Sequence, residues 1–238
     1  MKNQVLFPNS TRGQANYGWL QARYSFSFAN FFDPNRIQFG ALRVLNDDII
    51  APGMGFGTHP HDNMEIITIP LEGDLAHKDS MGHSEIIRQG DIQVMSAGTG
   101  VQHSEFNPNR DKQTQLLQIW VFPKTQNVEP RYQQITLPTE EMNNQFLPIV
   151  TPFPEGKATW IHQDAWFNMG IFDAGKTTRY DVNLKGNGVY VFIIHGKVEI
   201  NGNVLAQRDA IGLWEGDGFD IHFEEDTKIL LIEVPMTY

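Results

Sequence analysis

"EGDLAHKDSMGHSEIIRQGDIQVMSAG", residues 72–98, and "HGKVEINGNVLAQRDAIGLWEG", residues 195–216, are two versions of one pattern. Gly73 falls on Gly196, Gln89 on Gln207, Asp91 on Asp209 and Gly98 on Gly216. Self-similarity on this scale marks a duplicated unit. Within each copy, short apolar runs are broken by Gly, Asn or Asp, the rhythm of strands joined by tight turns. Asn201-Gly202 is the strongest hairpin signal in the chain, because a two-residue type I′ turn needs positive φ at both central positions.

The rhythm continues on either side, in "IITIPLEG" (66–73), "QLLQIWVFP" (115–123), "AIGLWEGDGFDIHF" (210–223) and "KILLIEVP" (228–235). Many short strands with turn signals between them predict an all-β fold of sandwiches or barrels. Helical periodicity is weak everywhere; "TEEMNNQF" (139–146) suits one short helix. A chain of 238 residues accommodates two domains of roughly 100 to 130 residues. The segment 122–146 carries three prolines and many polar residues. A boundary near residue 135 follows, giving an N-terminal domain over 1–135 and a C-terminal domain over 136–238.

The formal charge of −10 argues against phosphate-backbone binding, which clustered Lys and Arg drive. Nucleic acid is therefore not an expected partner. With no cysteine, any metal must be held by nitrogen and oxygen, and disulfides are excluded. The N-terminus lacks the apolar segment of a secretory signal, and no apolar run approaches the ~20 residues that span a bilayer. These features predict a cytoplasmic protein without a membrane partner.

"GTHPHDNMEI" (57–66) and "GVQHSEFNP" (100–108) carry the chemistry. Side chains alternate faces along a strand, so His59 and His61 project from one side, roughly 6.6 Å apart along the strand. His103 and Glu105 have the same parity on a second strand. Three imidazoles and a carboxylate suit Fe(II), Mn, Co, Ni, Cu or Zn and leave room for water, O2 or a chelating substrate. Glu65 competes with Glu105 on spacing alone, since residues 59, 61, 63 and 65 share a face on an unbroken strand. It is either a further ligand or an acceptor that orients a ligand imidazole.

These residues also carry a family resemblance. Gly53, His59, His61, Glu65 and Gly73 resemble the first cupin motif with one extra spacer residue, and Gly90 through Glu105 resembles the second with Ser96 in place of its proline. More narrowly, "RGQANYGWL", "YSFSFANFFDP", "GTHPHDNMEI", "MSAGTGVQHSEFNP", "QIWVFP" and "PRYQQ" together resemble the pirin family, in its bacterial quercetin 2,3-dioxygenase-like branch. The second half resembles it chiefly through "WIHQDA" and "VEINGN".

The resemblance implies a bicupin with one metal, held by His59, His61, His103 and Glu105, and places Glu65 behind the ligands. It implies Fe(II) as the preferred ion, an aromatic small-molecule substrate and O2, and oxidative cleavage of a flavonol with release of carbon monoxide. Glu105 is the candidate catalytic base. Two departures touch the surroundings of the site: Tyr24 stands where many relatives have histidine, and Asp62 where many have a basic residue. The rival expectations are a metal- and redox-responsive interaction protein with a protein partner, the role attributed to eukaryotic pirins, and another cupin metalloenzyme acting on a chelating small molecule.

Applying the repeat offsets to the ligand positions gives Val182, Leu184, Gly188, Ile221 and Phe223 in the second half, so no second metal is expected. His77, His83, His162, His195 and His222 are read as structural or surface residues. Phe26, Phe28, Phe31 and Phe32 are expected to pack a core more than line a pocket, and Met54, Met64 and Met95 suit an adaptable apolar wall or gap filling.

Overall fold

The computed structural model describes residues 1–237. The first half contributes strands β1 (Asn3–Phe7), β2 (Gly13–Asn16), β3 (Leu20–Tyr24), β4 (Leu42–Ile50), β5 (Gly55–His61), β6 (Glu65–Glu72), β7 (Leu75–Asp79), β8 (Ser84–Ile87), β9 (Asp91–Ser96), β10 (Val101–Phe106), β11 (Thr114–Val121) and β12 (Arg131–Thr136). The second contributes β13 (Phe146–Thr151), β14 (Thr159–Trp160), β15 (Trp166–Phe172), β16 (Thr177–Asp181), β17 (Asn187–His195), β18 (Val198–Ile200), β19 (Asn203–Leu205), β20 (Ala210–Trp214), β21 (Gly218–Phe223) and β22 (Thr227–Pro235). The helix expected near residue 139 is a single 3-10 turn, Thr139–Met142.

Two seven-stranded sheets have matching strand orders, β12-β9-β6-β11-β4-β3-β2 and β1-β20-β17-β22-β15-β13-β14. Each is paired with a four-stranded sheet, β5-β10-β7-β8 or β16-β21-β18-β19. The all-β, two-sandwich architecture is thus present, with the duplication visible strand by strand. The edges are exchanged along the chain: β1 pairs with β20 of the second half, and β12 pairs with β9 of the first.

Local chemistry repeats with the topology. Gly73 and Gly196 both have positive φ, and a Cβ on either would collide with backbone at the start of the last long strand, at Gln113 and Thr114 or at Asp226 and Thr227. Only glycine allows that approach. Asp91 accepts a hydrogen bond from Arg88 N at 2.9 Å, and Asp209 accepts one from Ala206 N at 2.9 Å, closing the same turn in each half. Asn201 and Gly202 have φ of 50° and 75° between paired Ile200 and Asn203, as the type I′ reading requires.

The largest core cluster mixes Leu42, Ile67, Ile92 and Leu117 with Phe167, Phe192, Leu230 and Ile232, so the two seven-stranded sheets pack against each other. The interior of the second sandwich holds one large apolar cluster, in which Phe172 stacks on Phe223 at 4.2 Å, beside a buried network of Glu233, Tyr180, Asn168 and Asn187. The interior of the first is split into two small clusters. What separates them is the site.

Candidate metal centre

β5 and β10 are antiparallel neighbours with His59 directly opposite His103, and a bulge follows between His103 and Glu105. Strand parity puts His61 on the same face as His59. The three imidazoles converge: ring centroids lie 4.4 Å apart for His59 and His103, 4.9 Å for His59 and His61, and 4.9 Å for His61 and His103. One nitrogen from each lies within 4.8 Å of the other two.

The surroundings fix which nitrogen faces inward. His59 Nδ1 is 2.8 Å from the carbonyl oxygen of Gly57, which only accepts, so Nδ1 carries the proton and Nε2 keeps its lone pair. His103 Nδ1 lies 3.1 Å from His77 Nε2, while His103 Nε2 is buried without a hydrogen-bond partner among the described residues. An orphaned buried nitrogen is costly unless something binds it. Burial and then repulsion from His59 lower His61 to about 4, against an opposing pull from Asp62, and burial with repulsion from His59, His61 and His77 lowers His103 to about 2. Three imidazole nitrogens gathered this closely fit a divalent transition ion.

Glu105 is buried beside these histidines, but both carboxylate oxygens accept from Gln118 Nε2, at 3.2 and 3.1 Å. Burial raises its pKa, and the Gln118 bond partly offsets this. Glu65 does not share the face. β5 ends at His61, Asn63 takes φ of 44°, and β6 restarts at Glu65 in the seven-stranded sheet. The strand is broken, so the parity argument that joined Glu65 to His59 and His61 lapses. Its carboxylate instead accepts from Ser96 Oγ at 2.7 Å and meets His162 Nδ1 of the second half at 3.1 Å. Among the described residues no hydrogen bond links Glu65 to the three imidazoles.

A cavity of about 390 Å³ opens over the histidines. The four-stranded sheet supplies Phe56, the histidines and Glu105; the seven-stranded sheet supplies Asn46, Asp48, Ile66, Gln118 and Trp120, with Trp19 and Phe28 completing the wall. Of the four phenylalanines considered from sequence, Phe28 lines this cavity, Phe26 is core, Phe31 packs on a core cluster and Phe32 is exposed. Asn46, Asp48 and Gln118 were not singled out from sequence. The signal was there: "VLNDDII" places two carboxylates inside an apolar strand, and buried carboxylates need a reason. Burial, then Asp47 and Glu105, pushes Asp48 up to about 8.

The pattern matches known proteins over nearly its whole length. The Pirin family model covers residues 8–121, and a model described as the quercetinase C-terminal cupin domain covers residues 148–234. A quercetin 2,3-dioxygenase of Escherichia coli K12 is 38% identical over 224 residues, 94% of this chain and 95% of its own. The chain belongs to the pirin family. A pirin-like protein of Caulobacter vibrioides is 37% identical over 227 residues, 95% of this chain and 97% of its own. The crystal structure of the bacterial pirin YhhW from E. coli in complex with nickel(II) matches this pirin at a TM-score of 0.93 and 36% identity, covering 98% of this chain and 99% of that one.

In the second half of this pirin the inward residues of β21 are Phe219, Ile221 and Phe223, all buried. His222 points outward and bonds Thr177 Oγ1 at 3.0 Å, and His195 is exposed. Aromatic side chains fill the space that the histidines surround in the first half. Among the described residues no helix is long and apolar enough to cross a membrane.

Proposed function

We propose that this pirin is a metal-dependent dioxygenase that cleaves a flavonol-type ring with O2 and releases carbon monoxide. The observation that carries it is the convergence of His59, His61 and His103 on the wall of a cavity lined by Trp19, Phe28, Phe56 and Trp120. Its relatives' names point to the same chemistry. His59, His61, His103 and Glu105 are the proposed ligands, and Fe(II) the proposed ion, with Mn, Co, Ni, Cu and Zn compatible with the same nitrogen and oxygen donors. Bound there, the ion supplies Lewis acidity that favours the substrate's deprotonated hydroxyl and a centre at which O2 reacts.

The remaining steps belong to the chain. The aromatic wall holds a flat ring system and keeps water away from it, and a cavity of this size suits one small ligand. Glu105 takes the proton of the substrate's 3-hydroxyl. Its burial raises its proton affinity toward that task, and Gln118 holds the carboxylate in place. Both oxygen atoms of O2 enter the products, a flavonol and O2 giving one depside ester and one carbon monoxide.

Metal-replete protein given quercetin should consume O2 and release carbon monoxide in equal amounts, with about one ion per chain by elemental analysis. Full metal content without O2 uptake on a flavonol panel would reject the dioxygenase reading.

A further inference from the structure

Antiparallel pairing lays a polar row across the inner face of the first seven-stranded sheet: Asn46 opposite Gln118, Gln118 opposite Thr68, Thr68 opposite Gln93. All four are buried. Gln118 is fully used, since its Oε1 accepts from Thr68 Oγ1 at 3.2 Å and its Nε2 serves Glu105. Asn46 and Asp48, two residues apart on β4, share the cavity-facing side. They are 3% and 5% exposed, and among the described residues Asn46 Oδ1 and Asp48 Oδ1 have no hydrogen-bond partner. The cavity therefore has imidazoles on one sheet and unpartnered carboxamide and carboxyl oxygens on the other.

We propose that Asn46 and Asp48 form a subsite for a hydroxyl group of an aromatic ligand, separate from the hydroxyl that meets the ion. This deepens the proposed function and rests on the cavity being where the aromatic substrate binds. Buried polar oxygens without partners penalise an empty or apolar occupant, and a phenolic hydroxyl, which both donates and accepts, removes that penalty. A site built this way rejects an analogue that lacks the hydroxyl far more strongly than an apolar pocket rejects a change of shape. The ligand class selected is a polyhydroxylated aromatic. The aromatic wall accepts flat rings in general; Asn46 and Asp48 choose among them.

The test compares quercetin with 3-hydroxyflavone, which keeps the metal-facing hydroxyl and loses the others, by calorimetric titration under nitrogen of metal-replete protein. The wild type should bind quercetin at least about tenfold more tightly. Asn46→Ala and Asp48→Ala should each erase most of that preference while leaving 3-hydroxyflavone affinity within about twofold. Asp48→Asn, which retains a carbonyl acceptor, should retain the preference. Equal affinities in the wild type overturn the subsite whatever the variants do, as does a preference that survives both alanine substitutions. O2 uptake on the same samples separates the two readings: selective binding without uptake removes the dioxygenase and keeps the subsite, and uptake without selectivity does the reverse.

Discussion

Replacing Asp48 by Asn should make the metal-free protein more stable, and increasingly so as pH rises. The carboxyl has a pKa of 3.8 when free and about 8 in the folded chain, because burial, then Asp47 and Glu105, disfavour its charge more than Arg12 favours it. The folded state thus holds the proton more tightly than the unfolded state. Stability from this group is fully present below pH 3.8, falls progressively above it, and is lost once pH passes about 8. At ~1.4 kcal/mol per pH unit the interval amounts to at most about 6 kcal/mol. Water reaching the cavity wall lowers this, and a realised value of ~2–4 kcal/mol is expected. Asn has the same shape and never ionises. Urea unfolding of chelator-treated wild type and Asp48→Asn, followed by tryptophan fluorescence between pH 4.5 and 8.5, isolates the group together with its coupling to Asp47 and Glu105. The stability difference should grow by ~2–4 kcal/mol across that range. A difference that stays flat with pH refutes the reasoning, even if the variant is uniformly more or less stable.

Asp47, on the other face of β4, receives Arg208 Nε at 2.8 Å from the second half and lies 3.6 Å from the buried Arg12. Asp47→Ala strands two guanidiniums and should cost ~3–5 kcal/mol in urea unfolding at neutral pH. His77→Ala removes the partner of His103 Nδ1 and should weaken metal binding about 10- to 100-fold by competition with a chelator, with little change in the melting temperature of metal-free protein. His195→Ala and His222→Ala should leave metal at about one ion per chain by elemental analysis, because neither faces the interior of its sandwich.

Much of the fold was legible because tight turns constrain residue identity. Gly73 and Gly196 sit where a side chain would strike backbone, and Asp91 and Asp209 each close a turn with their own carboxylate. The match weakens where the constraint does: Gly98 has positive φ, but in the second half the left-handed residue is Glu215, one before the aligned Gly216. The three histidines were legible from period-two spacing, since β5 and β10 are regular enough over those residues for parity to hold. Glu65 was not, because parity says nothing across a break, and nothing in "HDNME" announces that Asn63 turns the chain out of one sheet into another. The opposite wall was illegible for a different reason. Asn46, Asp48 and Gln118 face the cavity through cross-strand register, which couples residues about 70 positions apart, and a single sequence does not display that pairing.

The contrast between the halves explains how the site can be afforded. Both sandwiches use the same strand order, yet the second interior is mainly apolar, with its buried carboxylate, Glu233, fully hydrogen-bonded by Tyr180, Asn183 and Asn187, while the first is interrupted by histidines, Glu105, Asp48 and unpaired amide atoms. Buried polar groups of this kind destabilise a fold unless other contacts offset them. Here the offset lies outside the first sandwich: the shared core between the two seven-stranded sheets, the edge strand β1 lodged on the second half, and the contacts of Glu65 with His162 and of Asp47 with Arg208. The Glu65 and Asp47 contacts start from strands that also carry site residues, β6 with Ile66 and β4 with Asp48. The second half, without ligands at its inward positions, therefore stabilises the wall of the first half's cavity directly, and a substitution there that loosens Arg208 or His162 should be felt in the site as well as in the fold.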